Sequence, residues 1–142
     1  MVLLRAYRFL FRPRVRGVRC VLVHDEALLL VRHTYGDRRW GLPGGLIKRS
    51  ENARTTAARE ISEELGLADL HWSDLGRIEY MGADRGRHLL RAFACRVGSR
   101  TVTPDAAEID ELAWFGWDEL PEDTLDGTVA ITRLARERLP GN

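Results

Sequence analysis

Three glutamates crowd one short stretch of this chain. Glu60, Glu63 and Glu64 stand at i, i+3 and i+4 in AREISEELGL, residues 58–67. In a helix that spacing projects all three from one face. Like charges so placed repel by about 0.2–0.5 kcal/mol per pair. They also fall in the last turns of the expected helix, where the macrodipole is negative and cations are preferred. Solvation beside Arg54 and Arg59 would make this an ordinary exposed acidic face. The alternative offset is a hard divalent cation. Carboxylate oxygens from one face, with a carbonyl from the adjacent glycine loop GLPGG at 41–45, make an all-oxygen site suited to Mg²⁺ or Mn²⁺. Such an ion shares its shell with substrate phosphates. An acidic cluster alone would repel a polyphosphate, so the metal must be bound before that substrate can approach.

From Gly45 to Leu67 the residues also spell a family pattern. Gly45, Glu51, Arg59, Glu60, Ile61, Glu63, Glu64, Gly66 and Leu67 fill every fixed position of G-x5-E-x7-R-E-U-x-E-E-x-G-U without a gap, U being a bulky aliphatic. This stretch resembles the signature of the Nudix hydrolases. The likeness extends through LLLVRH, WGLPGG and ELAWFGWDELP to cover about residues 16–140. It implies an α/β/α sandwich built on a mixed, partly antiparallel sheet, with the signature forming loop–helix–loop. It implies hydrolysis, dependent on Mg²⁺ or Mn²⁺, of the pyrophosphate bond in a nucleoside diphosphate linked to another moiety X. Carried over position by position, Glu60 and Glu64 would be metal ligands, Glu63 a ligand or water-orienting carboxylate, and the Gly44 carbonyl a further ligand. Arg59 and Glu51 would form a structural pair bracing the loop. Family members place the general base either in the signature or on a later loop. Glu108 and Glu111 are the candidates on such a loop here. Glu108 is preferred because it lies at a loop-to-strand junction, whereas Glu111 would be a solvated strand residue. The catalytic candidates are therefore Glu60, Glu63 and Glu108. The competing reading is a nucleotide-binding sensor of the same fold without catalysis; intact carboxylates favour the enzyme.

Between the first hairpin and the signature lie Arg32, His33, Tyr35, Arg38 and Arg39. An arginine there could pair with a second phosphate, and Tyr35 or Trp40 could stack on a base. The stronger expectation leaves Trp40 in the core and the arginines at the surface. His88 and Arg91 would face opposite sides of a strand, and Trp114, Phe115 and Trp117 read as packing. An SQPWPxP element is absent, and Ala83 stands where ADP-ribose hydrolases carry a proline. Neither absence excludes a substrate.

The elements that must position these residues follow from periodicity. Strands are expected at about 18–24 and 27–33, joined by Asp25-Glu26, with a short strand running into the loop at 38–45. Ala53, Ala57, Ala58, Ile61 and Leu65 mark one side of a helix over 51–65, with Ser50 as N-cap and Gly66 as C-terminal glycine. Further strands are expected at about 74–81, 87–97 and 109–117, with 82–86 as a turn, and a final helix at about 127–139. Strand–helix alternation of the doubly wound kind is lacking.

The 142 residues suit one domain, taken as residues 16–142. The formal net charge of +1 argues against a dedicated nucleic-acid binder. Residues 1–15 form a basic, amphipathic arm, read as packing on the domain or on a homodimer partner in preference to a membrane surface. Cys20 and Cys95 lie far apart in apolar stretches, which suits reduced, buried thiols and a cytoplasmic setting. The expected partner is a small nucleotide-type substrate.

Overall fold

The computed structural model describes residues 16–81 and 87–140, the side chains of Tyr80 and Met81 excepted. The expectations for the arm at 1–15, the turn at 82–86 and Ala83 lie outside the described residues. Near-continuous apolar runs, buried on both faces, yield β1 (Gly17–His24) and β2 (Ala27–His33), joined by a two-residue turn in which Asp25 takes φ +52°. The signature contains β3 (Gly44–Leu46) and helix α1 (Ala53–Leu65). Then come β4 (Ser73–Met81), β5 (Arg87–Arg96), β6 (Ile109–Gly116) and helix α2 (Asp126–Arg138).

Six strands form one mixed sheet in the order β4-β5-β1-β2-β6, with β3 paired to β1. Only β1 and β5 run parallel among these pairs. The period of two sorts side chains onto two faces. Val18, Cys20, Leu22, Leu29, Val31, Phe93 and Cys95 pack under Ala57, Ile61 and Leu65 of α1. Val21, Val23, Leu28, Leu30, Ala92 and Ala94 pack under Ile131 and Ala135 of α2. This is the expected α/β/α layering, and both cysteines are buried free thiols.

One departure from regular pairing makes room for the site. β1 pairs with β2 only at Val23↔Leu28 and His24↔Ala27. Toward the start of β1 the two strands separate, and residues 40–46 fill the gap. Gly41 exchanges both backbone bonds with Val31 of β2 (2.8 and 2.9 Å), while Gly44 stands opposite Arg19 of β1 and the Pro43 carbonyl accepts from Cys20 N–H. The glycine loop is thus built into the middle of the sheet, directly beneath α1.

The helix starts two residues later than the sequence suggests. Ser50 adopts φ +74°, which is unsuited to an extended N-cap. Asn52 takes that role at φ −93° and ψ 167°, its side chain accepting from Thr55 N–H at 2.8 Å. At the other end Gly66 adopts φ 68° and donates to the Ser62 carbonyl.

Candidate active site

The signature brings its residues together around Arg59. A guanidinium has five N–H donors, and here all are engaged. Nε and Nη2 hold the two oxygens of Glu51 at 2.7 and 2.8 Å. Nη1 reaches Glu60 at 3.0 Å and Glu63 at 3.2 Å, and Nη2 also donates to the Leu46 carbonyl at 3.2 Å. Glu51 further accepts from Lys48 N–H at 2.9 Å, closing the loop before α1. The bidentate contact with Arg59 holds the Glu51 carboxyl far below its ordinary range, at about 2.

The three helix glutamates, expected on one face, meet different surroundings. Glu63 is exposed, with 57% of its side chain open to solvent. Glu60 is largely covered; burial pushes its pKa up, Arg59 pulls it down, and Glu64 and Glu63 push it up again. Its carboxylate lies against Gly45, where a Cβ would overlap it. Glu64 is 2% exposed. Its Oε2 accepts from Gly44 N–H at 3.3 Å and its Oε1 lies 3.4 Å from His33 Nε2, both long contacts. Gly44 itself has φ +154°, and a Cβ there would strike the Val18 backbone. Only glycine lets the chain pass this close to β1.

The C-terminal end of α1 is clamped by the segment before β6. Thr103 N–H donates to the Leu65 carbonyl at 2.9 Å, and Asp105 N–H to the Glu64 carbonyl at 2.8 Å. The same segment is tied to the end of β2, where Thr34 N–H donates to the Glu108 carbonyl at 3.0 Å and Thr34 Oγ1 to Ala107 at 2.7 Å. Glu108 thereby comes beside Tyr35. Desolvation, a hydrogen bond with Glu108, and the charges of Glu108, Glu64 and Glu60 push the Tyr35 phenol up to about 12. Tyr35 is 56% exposed, so its ring is available at the mouth of the site.

The structure does not bring the candidate phosphate arginines to the carboxylates as free cations. Arg32 pairs with Asp123 at 2.6 Å, Arg38 with Asp110 at 2.7 Å and Arg39 with Asp37 at 2.8 Å. Trp40 is 6% exposed, meets Phe115 edge-on at 5.1 Å, and carries Arg32 over its ring at 4.7 Å. It belongs to the core on the α2 face, so its ring is not offered to a base. Arg91 pairs with Asp74 at 2.6 Å, and Glu111 is an exposed residue opposite Arg32. A cavity of about 370 Å³ opens between α1 and residues 67–72, lined by Arg54, Ala58, Leu70 and Trp72 among others. It includes none of the site carboxylates.

Sequence reasoning grouped His33 with its neighbours but did not connect it with Glu64. The alternation of β2 carried the signal, since His33 shares the α1 face with Leu29 and Val31. Its Nε2 is buried and has no hydrogen-bond partner among the described residues.

Among the described residues, no three His, Cys, Asp or Glu side chains converge tightly enough to enclose an ion unaided. The cause is visible: Arg59 draws on Glu60 and Glu63, while Glu64 lies beneath them. The donor set nonetheless fits a hard divalent cation. It offers carboxylate oxygens and a glycine-loop carbonyl, and Mg²⁺ ordinarily keeps several waters rather than demanding a full protein cage. The orphaned His33 Nε2 and the poorly partnered, buried Glu64 carboxylate mark the spot where a cation would be accommodated.

The family model described as NUDIX domain matches residues 13–134. An ADP-ribose pyrophosphatase of Mycobacterium tuberculosis is 51% identical over 102 residues, covering 69% of this chain and 49% of that protein. An NAD-capped RNA hydrolase NudC of Vibrio atlanticus is 27% identical over 130 residues, covering 87% of this chain and 45% of that protein. The chain thus spans about half the length of these curated relatives. The crystal structure of a MutT NUDIX hydrolase from Burkholderia pseudomallei superposes with a TM-score of 0.75 at 27% identity, covering 92% of this chain and 100% of that one. With the signature intact, the fold matched and the family model spanning most of its length, the chain belongs to the Nudix family.

Proposed function

We propose that this chain is a divalent-metal-dependent pyrophosphohydrolase acting on a nucleoside diphosphate linked to another moiety. The observation that carries this reading is Glu64. A carboxylate 2% exposed, at the negative end of a helix, whose polar contacts among the described residues are 3.3 and 3.4 Å long, is poorly compensated by them. Glu60 and Glu64, with the Gly44 carbonyl, would hold Mg²⁺ or Mn²⁺ there. The bound cation would polarise phosphoryl oxygens, lower the pKa of its water and offset transition-state charge.

The chain's own residues do the remaining work. Arg59 is fully occupied by Glu51, Glu60, Glu63 and the Leu46 carbonyl, so it orients carboxylates and does not clamp phosphate. Glu63 and Glu108 would be the carboxylates that take a proton from the attacking water; the exposure of Glu63 and the position of Glu108 beside Tyr35 support this reading. The water oxygen bonds to phosphorus, the anhydride P–O bond breaks, and two phosphomonoesters leave. Tyr35 offers an exposed ring against which a base could stack. ADP-ribose heads the substrates to test, on the 51% identity with the pyrophosphatase of that name. The buried free thiols support a reducing, cytoplasmic setting, and among the described residues no helix is long and apolar enough to cross a membrane.

The test is a substrate panel of ADP-ribose, dNTPs, sugar nucleotides, dinucleoside polyphosphates and CoA, with Mg²⁺ or Mn²⁺, beside Glu64→Gln. Turnover by the wild type and its loss in the variant is the expected result. Inactivity across the panel with retained nucleotide binding would favour the sensor instead. Equal activity in the variant would place the chemistry elsewhere.

A further inference from the structure

His33 ends β2 on the α1 face, below Glu64. Its ring lies 5.4 Å from that of Tyr35 at a tilt of 42°, which confines it on one side. A bulge falls at this point. Arg32 stands opposite Glu111 and His33 opposite Ile109, so Asp110 is the extra residue on β6. Bulges next to active sites re-aim side chains. Opposite this bulge stands an imidazole whose Nε2 is buried, without a hydrogen-bond partner among the described residues and 3.4 Å from Glu64 Oε1.

That separation is informative. A charge-assisted N–H···O bond would bring the atoms to about 2.7–2.9 Å. Two donors sharing one cation, each bonded at about 2.1 Å and subtending 90–109°, stand about 3.0–3.4 Å apart. The observed distance is long for the first arrangement and within the range of the second. Imidazole nitrogen suits first-row transition metals, whereas Mg²⁺ takes oxygen.

We propose that His33 is a nitrogen ligand of the cation held by Glu64, making the centre a mixed nitrogen–oxygen site that prefers Mn²⁺ to Mg²⁺. This rests on the metal-dependent reading of the site given above, and the experiment separates the two. Mn²⁺ is titrated into the full chain and the free ion followed by its paramagnetic resonance signal. Pulsed measurement on the bound ion then reads coupling to ¹⁴N. The wild type is expected to show imidazole coupling that disappears in His33→Gln, with Mn²⁺ affinity at least about tenfold weaker in that variant. The affinity for Mg²⁺, read by competition, should fall by a smaller factor. Circular dichroism confirms that the variant is folded, and Glu64→Gln serves as the binding control. Mn²⁺ that binds in a Glu64-dependent way without nitrogen coupling, or with coupling that persists in His33→Gln, overturns the ligand assignment and leaves the hydrolase reading standing. Absence of Mn²⁺ binding overturns both.

Discussion

Gly45→Ala tests whether the seat of Glu60 matters for function, because its effects on fold and site should separate. A Cβ built on Gly45 falls inside the contact shell of the Glu60 carboxyl carbon and both its oxygens. Ordinary carbon–carbon contact needs about 3.5 Å, so the carboxylate must retreat by about 1 Å or more. The obstacle is the far end of a flexible side chain, which can move, so the stability loss should stay below about 1 kcal/mol. Catalysis is less tolerant, since a displacement of about 1 Å in a positioned group can cost on the order of 10²-fold. Gly44→Ala is the contrasting case. Its Cβ would meet the Val18 main chain in the central strand, at φ +154°, so nothing can yield. Strain and overlap together should cost about 3 kcal/mol or more. Urea unfolding curves give the two stabilities, and turnover and Mn²⁺ affinity give the two site effects. If Gly45→Ala unfolds like the wild type and also matches it in Mn²⁺ affinity and turnover, the position of Glu60 has no bearing on the site.

Three further outcomes follow from particular contacts. Glu51, held at about 2 by Arg59, binds fewer protons folded than unfolded between roughly pH 4 and 2. Its contribution to stability is therefore present above the unfolded value and lost as pH falls through that window. Melting temperatures from pH 6 to 2 should drop more steeply for the wild type than for Glu51→Gln, and parallel curves would contradict the ion pair. Glu108→Gln should lower turnover by about 10² or more if Glu108 is the general base, and should bring the Tyr35 phenol down from about 12, read by tyrosinate absorbance against Tyr35→Phe. A loss of less than about fivefold removes Glu108 from the mechanism. Asn52→Ala deletes the bond to Thr55 N–H and should cost about 1 kcal/mol in urea unfolding, whereas Ser50→Ala should cost little.

What could be read from the residues alone depended on how local the cause was. α1 was legible because Ala57, Ile61 and Leu65 repeat with its period and Gly66 follows it. The cap was misplaced by two residues because Ser50 and Asn52 are both good cappers, and only the backbone angles distinguish them. The short strand expected to lead into the loop at 38–45 instead follows it, as β3, because its three residues are made a strand by pairing with β1. The arginines of the 32–39 segment carried no sign of their partners. Arg32 and Asp123 lie 91 positions apart, and they meet because the segment before α2 is bonded to the Trp40 backbone. The face of His33 was available from the alternation of β2, but its meeting with Glu64 depends on where α1 crosses the sheet.

The charges of the signature are compensated unequally, and that inequality explains why the cluster points to a cation and not to solvent. Glu51, Glu60, Glu63 and Glu64 face a single guanidinium whose donors all go to the first three and to a backbone carbonyl. No basic residue occupies the last turn of α1, and the carbonyls of Glu64 and Leu65 are taken by neutral backbone donors. The uncompensated charge therefore concentrates on the least exposed carboxylate. In a low-dielectric setting that concentration is costly to the fold and attractive to a small divalent ion. Arg59 limits the cost by neutralising the outer groups, and it does so from a position that leaves Glu64 open toward His33 and the glycine loop. A second cation from the protein within reach of Glu64 would stabilise the helix end, and it would also remove the field that draws a metal to it.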